Sequence, residues 1–346
     1  SFSGPKWKRY FNADLGWEVG EKWNIGLDMG LFNAFNLSFD VFKETRSDIF
    51  LSRGNTIPDY LGLAGAAVYA NLGKMENKGI DFSVDYNKQI NKNFFLSFKG
   101  TFTYAHNTIL ERDEPPFREY PNLSSVGHSD GQYLLYLFNG LFPDEETIRN
   151  NPKQMLGFEP MPGDIWYKNI PNYEGKCDDV INSNDRVYVG NPKDPEIVYG
   201  FGPSMKWKNW DFSFFFQGVA KTSILMSGTA PFGNYYHNGL FQYIADDHWS
   251  TENPNPNAKY PRLTLQANGN NEQASDYYLR NGAFLKLKNA EIGYTHKGWR
   301  FYVSGNNLLT FSPFDHWDPE MGSGNGLKYP TQRAFNVGVQ VTFNNK

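Results

Sequence analysis

The chain has 346 residues, of which 17% are aromatic and 20% charged, with a formal net charge of −4 at pH 7. Its mean hydropathy is −0.59, and no stretch approaches the roughly 18 uninterrupted apolar residues of a membrane helix; the acidic balance argues against a nucleic-acid binder, which needs a basic face. Cys177 is the single cysteine, so no internal disulfide framework exists.

Taken in chain order, the apolar residues recur with period two, the signature of strands with one apolar and one polar face. Trp23, Ile25, Leu27, Met29 and Leu31 alternate with Asn24, Gly26, Asp28 and Gly30; Leu37, Phe39 and Val41 alternate with Ser38 and Asp40. Ile80, Phe82, Val84 and Tyr86 form a third set, and Phe94, Leu96, Phe98, Phe102 and Tyr104 a fourth. Ile197 to Trp207 and Trp210 to Phe216 give the fifth and sixth. Near 278–295 the phase slips, with Leu285 and Leu287 odd but Ala290, Ile292 and Tyr294 even, which predicts a β-bulge around Asn289. Phe301 and Val303 begin an eighth segment, and Phe335, Val337, Val339, Val341 and Phe343 mark the ninth.

The connections alternate short and long. Residues 32–35, 88–93, 208–209 and 296–298 are tight; 50–76, 108–196, 220–276 and 310–331 are long and rich in Pro, Gly, Asn and Tyr. Short turns on one rim and long loops on the other is the asymmetry of bacterial outer-membrane barrels, whose long loops are extracellular. A β-sandwich also alternates, but it rarely places a loop of about 90 residues between adjacent strands. The expectation is an all-β, transmembrane antiparallel barrel segment over 1–346. Single-chain bacterial barrels have even strand counts, so nine strands predict that residue 1 lies at the extracellular rim and that both edges pair with strands outside this chain. The chain starts at Ser1 with neither an initiator Met nor a signal-peptide core, so any targeting segment lies outside it.

Several segments resemble the SusC/RagA family of TonB-dependent outer-membrane transporters. They are WNIGLDMGLF (Trp23–Phe32), NLGKMENKGIDFSVDYN (Asn71–Asn87), NPKDPEIVYGFGPSMKWKNWDFSFFFQG (Asn191–Gly218) and HWSTENPNPNAKYPRL (His248–Leu263). FLKLKNAEIGYT (Phe284–Thr295), YVSGNNLLTF (Tyr302–Phe311), DPE (Asp318–Glu320) and YPTQRAFNVGVQVTF (Tyr329–Phe343) follow in the family's order. The resemblance implies the C-terminal part of a barrel of about 22 strands around an N-terminal plug, with TonB acting through a plug that is not in this chain. It implies import of oligosaccharides or peptides across the bacterial outer membrane, in partnership with a SusD-like lipoprotein. A family-related barrel serving as a scaffold in a larger membrane assembly is the main alternative, and a secreted carbohydrate-binding β-protein is a third.

One departure concerns a calcium-loop-like run of that family. Here it reads GDIWYKNIPNYEGKCDDVINSNDR (Gly163–Arg186), in which Asn169 replaces an acid and extra residues break the tight spacing. Asp178, Asp179, Asn182 and Asp185 remain as candidate oxygen ligands for calcium; the expectation is a metal-free, hydrogen-bonded loop.

Chemistry-bearing motifs are missing: there is no HExxH, P-loop or GxSxG run, so no catalytic residue is assigned. Met321–Gly326 reads as a flexible loop tip, and Pro143 to Glu146 as the first turn of a short helix. If the alternation holds, Asp28, Asp40, Asp81, Asp85, Lys99, Lys206, Asp211, Lys286, Lys288 and Glu291 all face the lumen. Tyr133, Tyr136, Trp166, Tyr167, Tyr235, Tyr236, Tyr243, Trp249 and Trp317 fall in the long loops. Such rings can contact a substrate or partner, or pack the loops together.

Overall fold

The computed structural model describes residues 9–53, 60, 68–227 and 239–343. Nine strands form one antiparallel sheet in strict chain order. They are β1 (Val19–Leu31), β2 (Phe35–Ser52), β3 (Tyr69–Asn91), β4 (Phe94–Glu111), β5 (Ile197–Trp207), β6 (Trp210–Ala220), β7 (Phe284–His296), β8 (Trp299–Phe311) and β9 (Ala334–Val341). Among the described residues the sheet is open, with β1 and β9 at its edges.

Register explains the alternation. Leu27, Phe39, Phe82, Phe102 and Tyr199 stand opposite one another across β1 to β5. Met205, Phe212, Ile292, Val303 and Val337 continue the same face across β5 to β9. Among the described residues this face has no protein layer over it: Val337 is 83% exposed, and the other sheets are all two-stranded. A sandwich is therefore excluded, and the exposed belt fits hydrocarbon rather than a second sheet. Aromatic rings gather toward the tight turns, where Trp207 lies opposite Trp210 and Trp210 opposite Tyr294, as in the girdles of membrane barrels.

The tight turns use left-handed backbone. Phe32 (φ 54°) and Asn33 (φ 47°) close β1–β2, and Lys297 (φ 48°) with Gly298 (φ 87°) close β7–β8; two successive positive φ values match the twist of paired strands. The bulge in β7 falls at Lys288. Phe215 pairs with Asn289 but Phe216 with Leu287, so Lys288 is the extra residue. It keeps Lys286 and Glu291 on one face although their parity differs.

The long connections run over 53–68, 112–196, 221–283 and 312–333. The first is shorter than the alternation suggested, because β2 and β3 project beyond the apolar belt. There Lys43 and Lys78 occupy outward positions, so the hydropathy pattern no longer marks the strands.

Buried apolar residues cluster in the connections rather than the wall. Tyr136, Leu141, Leu156, Ile165, Tyr167 and Ile181 from 112–196 pack with Ile224, Met226, Trp249, Ala258 and Tyr278 from 221–283 and with Phe314 from 312–333. Short strands frame this core: Tyr133–Tyr136 with Arg186–Val189, Phe138–Leu141 with Ile165–Tyr167, Lys153–Gln154 with Val180–Ile181, and Ser223–Leu225 with Leu279–Asn281. The expected short helix spans Glu145–Asn150, capped by Asp144, which accepts from the Thr147 N–H at 2.7 Å.

Candidate functional site

The polar face of the sheet carries charge in separate groups. Asp85 pairs with Lys99 at 3.5 Å across β3 and β4. On β8, Arg300 reaches Asp211 through Nε (3.0 Å to Oδ2) and Glu291 through Nη2 (2.5 Å), while Lys206 stands in register with Asp211. Sequence reading missed Arg300 because it precedes the apolar residues that signal its strand, though its even position, two before Tyr302, was a usable sign. Asp40 lies directly opposite Asp81. Neither they nor Asp28 have an ion-pair partner among the described residues. Gly26 leaves the space that Asp40 occupies, since a Cβ there would sit 2.5 Å from its Oδ1.

Near the long-loop end a charged clamp ties the last loop to the wall. Lys286 is only 1% exposed, yet its Nζ lies 2.5 and 2.7 Å from the Asp318 oxygens and 2.7 Å from Glu320. Lys288, displaced by the bulge, bonds the other Glu320 oxygen. Burial works against ionisation of Asp318 and Glu320, but the lysine hydrogen bonds outweigh it and hold both carboxyls below the usual carboxylate range. The adjoining Met321–Gly326 segment is pinned rather than a flexible tip. The Gly324 N–H donates to Leu225 (3.0 Å), its carbonyl accepts from the Ser227 N–H (2.8 Å), and the Ser323 hydroxyl meets Tyr133 at 2.7 Å.

Above the clamp, a fully buried carboxylate joins two loops. Asp164 lies 2.7 Å from Arg262 Nε and accepts from the side-chain amides of Asn268 and Asn271, each at 2.9 Å, and from the Met161 N–H at 2.8 Å. Asn270, also fully buried, bonds Gln154 (2.6 Å) and the Ile165 carbonyl (2.8 Å). A buried charge needs this full a set of partners to persist. The Asn268–Asn271 run escaped sequence reading, since asparagines around the single Gly269 look like an exposed turn.

The loop aromatics divide. Tyr136, Tyr167 and Trp249 belong to the buried core, so their expected role in substrate or partner contact is corrected: they are at most 6% exposed and pack the loops together. Tyr167 donates to the Asn270 carbonyl at 2.7 Å, and Trp249 lies against Gly163, where a Cβ would meet its ring at 2.3 Å. Tyr133 bridges Ser223 and Ser323, and Trp166 stacks on Phe142 at 5.6 Å; both are half-buried. Trp317 packs edge-on against Phe314, while Tyr243 is exposed beside His316. Tyr235 and Tyr236 lie outside the described residues.

The candidate calcium ligands are engaged with their own loop. Asp185 accepts from the Ile170 and Asn182 N–H groups (2.8 and 2.7 Å), and burial pushes its pKa up. Asp178 accepts from the Val180 N–H and the Tyr120 hydroxyl, the Asn182 side chain accepts from the Asn184 N–H, and the Asp179 carbonyl takes the Lys153 N–H. Among the described residues no group of three or more His, Cys, Asp or Glu side chains gathers as a metal site.

Two clefts open on the polar face beneath these loops. One, about 580 Å³, is lined by Gln217, Val219, Thr222, Phe284, Glu320 and Lys328, among others. The second, about 370 Å³, is lined by Glu44, Arg46, Asn77, Asn107, Asp130 and neighbours. Asp194 and Pro195 border both, so the NPKDP turn divides one polar groove running along the wall. Its lining is rich in hydrogen-bonding and charged groups and has no nucleophile–base pair.

Comparison with known proteins adds an independent finding. The family described as "TonB dependent receptor-like, beta-barrel" matches residues 2–308. TonB-dependent receptor P3 of Formosa agariphila is 26% identical over 369 residues, covering 96% of this chain and 35% of that protein. TonB-dependent receptor SusC of Bacteroides thetaiotaomicron is 26% identical over 364 residues, covering 99% and 33%. The solved RagAB peptide importer in its closed-closed state superposes with a TM-score of 0.72 at 21% identity, covering 96% of this chain and 36% of the other. The chain thus spans about a third of the length of these relatives.

Proposed function

The chain belongs to the TonB-dependent receptor-like β-barrel family, and from that premise we propose that it forms the C-terminal wall and outer loops of a TonB-dependent importer of the bacterial outer membrane. The imported solutes are oligosaccharides or peptides, handed over by a SusD-like lipoprotein seated on the loop unit. The polar groove carries this reading: it lies on the lumenal face, directly below a packed loop platform clamped by Lys286. Substrate crosses by binding and gated release, without covalent chemistry. The long connections 53–68, 112–196, 221–283 and 312–333 are extracellular in this reading and the tight turns periplasmic. The unpaired edges of β1 and β9 join strands outside the chain, because backbone groups left open in hydrocarbon cost several kcal/mol each.

The test uses the whole protein in its native membrane. An Asn77→Trp substitution fills the second cleft, whose lining includes no residue of the clamp or of the loop core. Uptake of the solute that supports growth should fall, while barrel assembly and lipoprotein co-purification persist. Unchanged growth of the full deletion strain on every glycan and peptide supplied, with no lipoprotein attached, would instead support a scaffold.

A further inference from the structure

The outward face changes character along one row. Trp23, Lys43, Lys78 and His106 stand directly opposite one another across β1, β2, β3 and β4. They lie one outward step toward the long connections from the apolar row Ile25–Val41–Ile80–Tyr104. Lys221, just past β6, joins them with its ammonium 4.9 Å from the centre of the Tyr104 ring. Like charges placed opposite one another across strands repel, so the arrangement calls for an anion.

Two carboxylates answer part of that need. Glu76 lies 2.6 Å from Lys43 and 3.2 Å from Lys78; Glu196 lies 2.6 Å from His106 and 3.5 Å from Lys221. Glu76 lies one outward step beyond Lys78 toward the long connections, and Glu196 just before β5. Their side chains are 17% and 6% exposed, against 51%, 58% and 49% for Lys43, Lys78 and Lys221. What the row itself presents outward is cationic, and the outward acids Glu21 and Glu76 stand one step further toward the long connections.

Its depth identifies the partner. On β3 the next outward charge after Lys78 is Lys88, with Ile80, Phe82, Val84 and Tyr86 between them. Ten residues at about 3.4 Å each, tilted by about 40°, span roughly 25 Å, the height of the hydrocarbon band of an outer-membrane barrel. The row therefore sits at headgroup level rather than in open water, with Trp23 at its end as an interfacial ring.

We propose that Lys43, Lys78 and Lys221 form a docking surface for the phosphate groups of a phosphorylated glycolipid in the outer leaflet. The inference rests on the long connections being extracellular. The intact assembled protein carrying this chain is purified in mild detergent, and bound lipid is quantified by native mass spectrometry. The probes are bisphosphorylated lipid A, its dephosphorylated form, and inorganic phosphate as competitor. The unsubstituted protein should retain the bisphosphorylated lipid alone, and inorganic phosphate at equal concentration should not displace it. Lys43→Gln with Lys78→Gln should lower retention by roughly an order of magnitude, Glu76→Gln should raise it, and Lys99→Gln on the lumenal face should leave it unchanged. Equal retention of dephosphorylated lipid, displacement by inorganic phosphate, or retention unmoved by the lysine pair would overturn the proposal. If the lysine pair impairs assembly, Glu76→Gln decides alone, and no rise counts against it. Labelling of the native Cys177, exposed in the 112–196 connection, by an impermeant maleimide on whole cells separates the two readings. Labelling without lysine-dependent lipid retention defeats the docking surface only; protection from the reagent defeats the orientation as well.

Discussion

Replacing Lys286 with methionine removes the buried ammonium but keeps the length of the stem. Asp318 then loses its only lysine partner in the clamp, while Glu320 keeps Lys288. Removing one member of a buried ion pair costs about 3–5 kcal/mol. Here the Asp318 and Glu320 side chains are still 20% and 23% exposed, so water and Lys288 recover part of that, leaving about 2–3 kcal/mol. At 1.36 kcal/mol per tenfold, the open population of loop 312–333 should rise about 30- to 150-fold. Hydrogen exchange on the intact protein reads this directly. The Glu320, Met321 and Gly322 amides, bonded within the short turn (3.0, 2.9 and 3.1 Å), and the Gly324 amide, bonded to Leu225, should lose protection together. Amides in β8 should not change. Lys288→Met, which frees only one oxygen of Glu320, should move the same amides by less than tenfold. Equal protection of 319–324 in Lys286→Met and in the unsubstituted protein would refute the reasoning that the clamp holds this loop.

Acid should open the same loop. Asp318 and Glu320 titrate below their unfolded values, so their contribution is fully present above about pH 5 and is lost as pH falls through the lower folded values; Trp317 fluorescence across that window reports it. Asp164→Ala should cost about 3–5 kcal/mol, because it strands Arg262 and two asparagine amides in a buried site. Limited proteolysis should then cut 112–196 and 221–283 while the heat-modifiable barrel band survives on gels. Phe214→Lys, on the apolar face, should destabilise the wall by about 2–4 kcal/mol, whereas Ser213→Lys on the polar face should cost less than 1 kcal/mol. Equal effects in denaturant unfolding from detergent or lipid would contradict the assignment of faces.

The wall was readable residue by residue because each strand meets two solvents, so its sequence repeats with the pleat. Phe212, Phe214 and Phe216 announce β6 unaided, and the phase slip between Leu287 and Ala290 located the bulge to within one residue. Past the belt that rule lapses. Lys43 and Lys78 are outward yet polar, so the ends of β2 and β3 merged with their loop on paper. The loop unit was scarcely legible, since its contacts join distant segments without a period. Tyr167 and Trp249 could be read as contact or as packing aromatics and are core; Asp164 looked like part of a damaged cation loop and is the hub of an asparagine network. The clamp lay between. Lys286 was recognised as inward-facing, but nothing local linked it to the Asp318–Glu320 pair about thirty residues on.

The placement of the apolar core in the connections has a consequence for how stability is defined. The loop unit buries its aromatics against one another, so its reference solvent is water. The wall leaves most of its apolar face uncovered by protein, and the reference solvent of that face is the bilayer. A change of lipid thickness or detergent shifts the free energy of one part and leaves that of the other nearly untouched. One melting temperature then cannot describe the molecule: the two parts answer to different media, joined through β-strand ends and the charged contacts of Lys286.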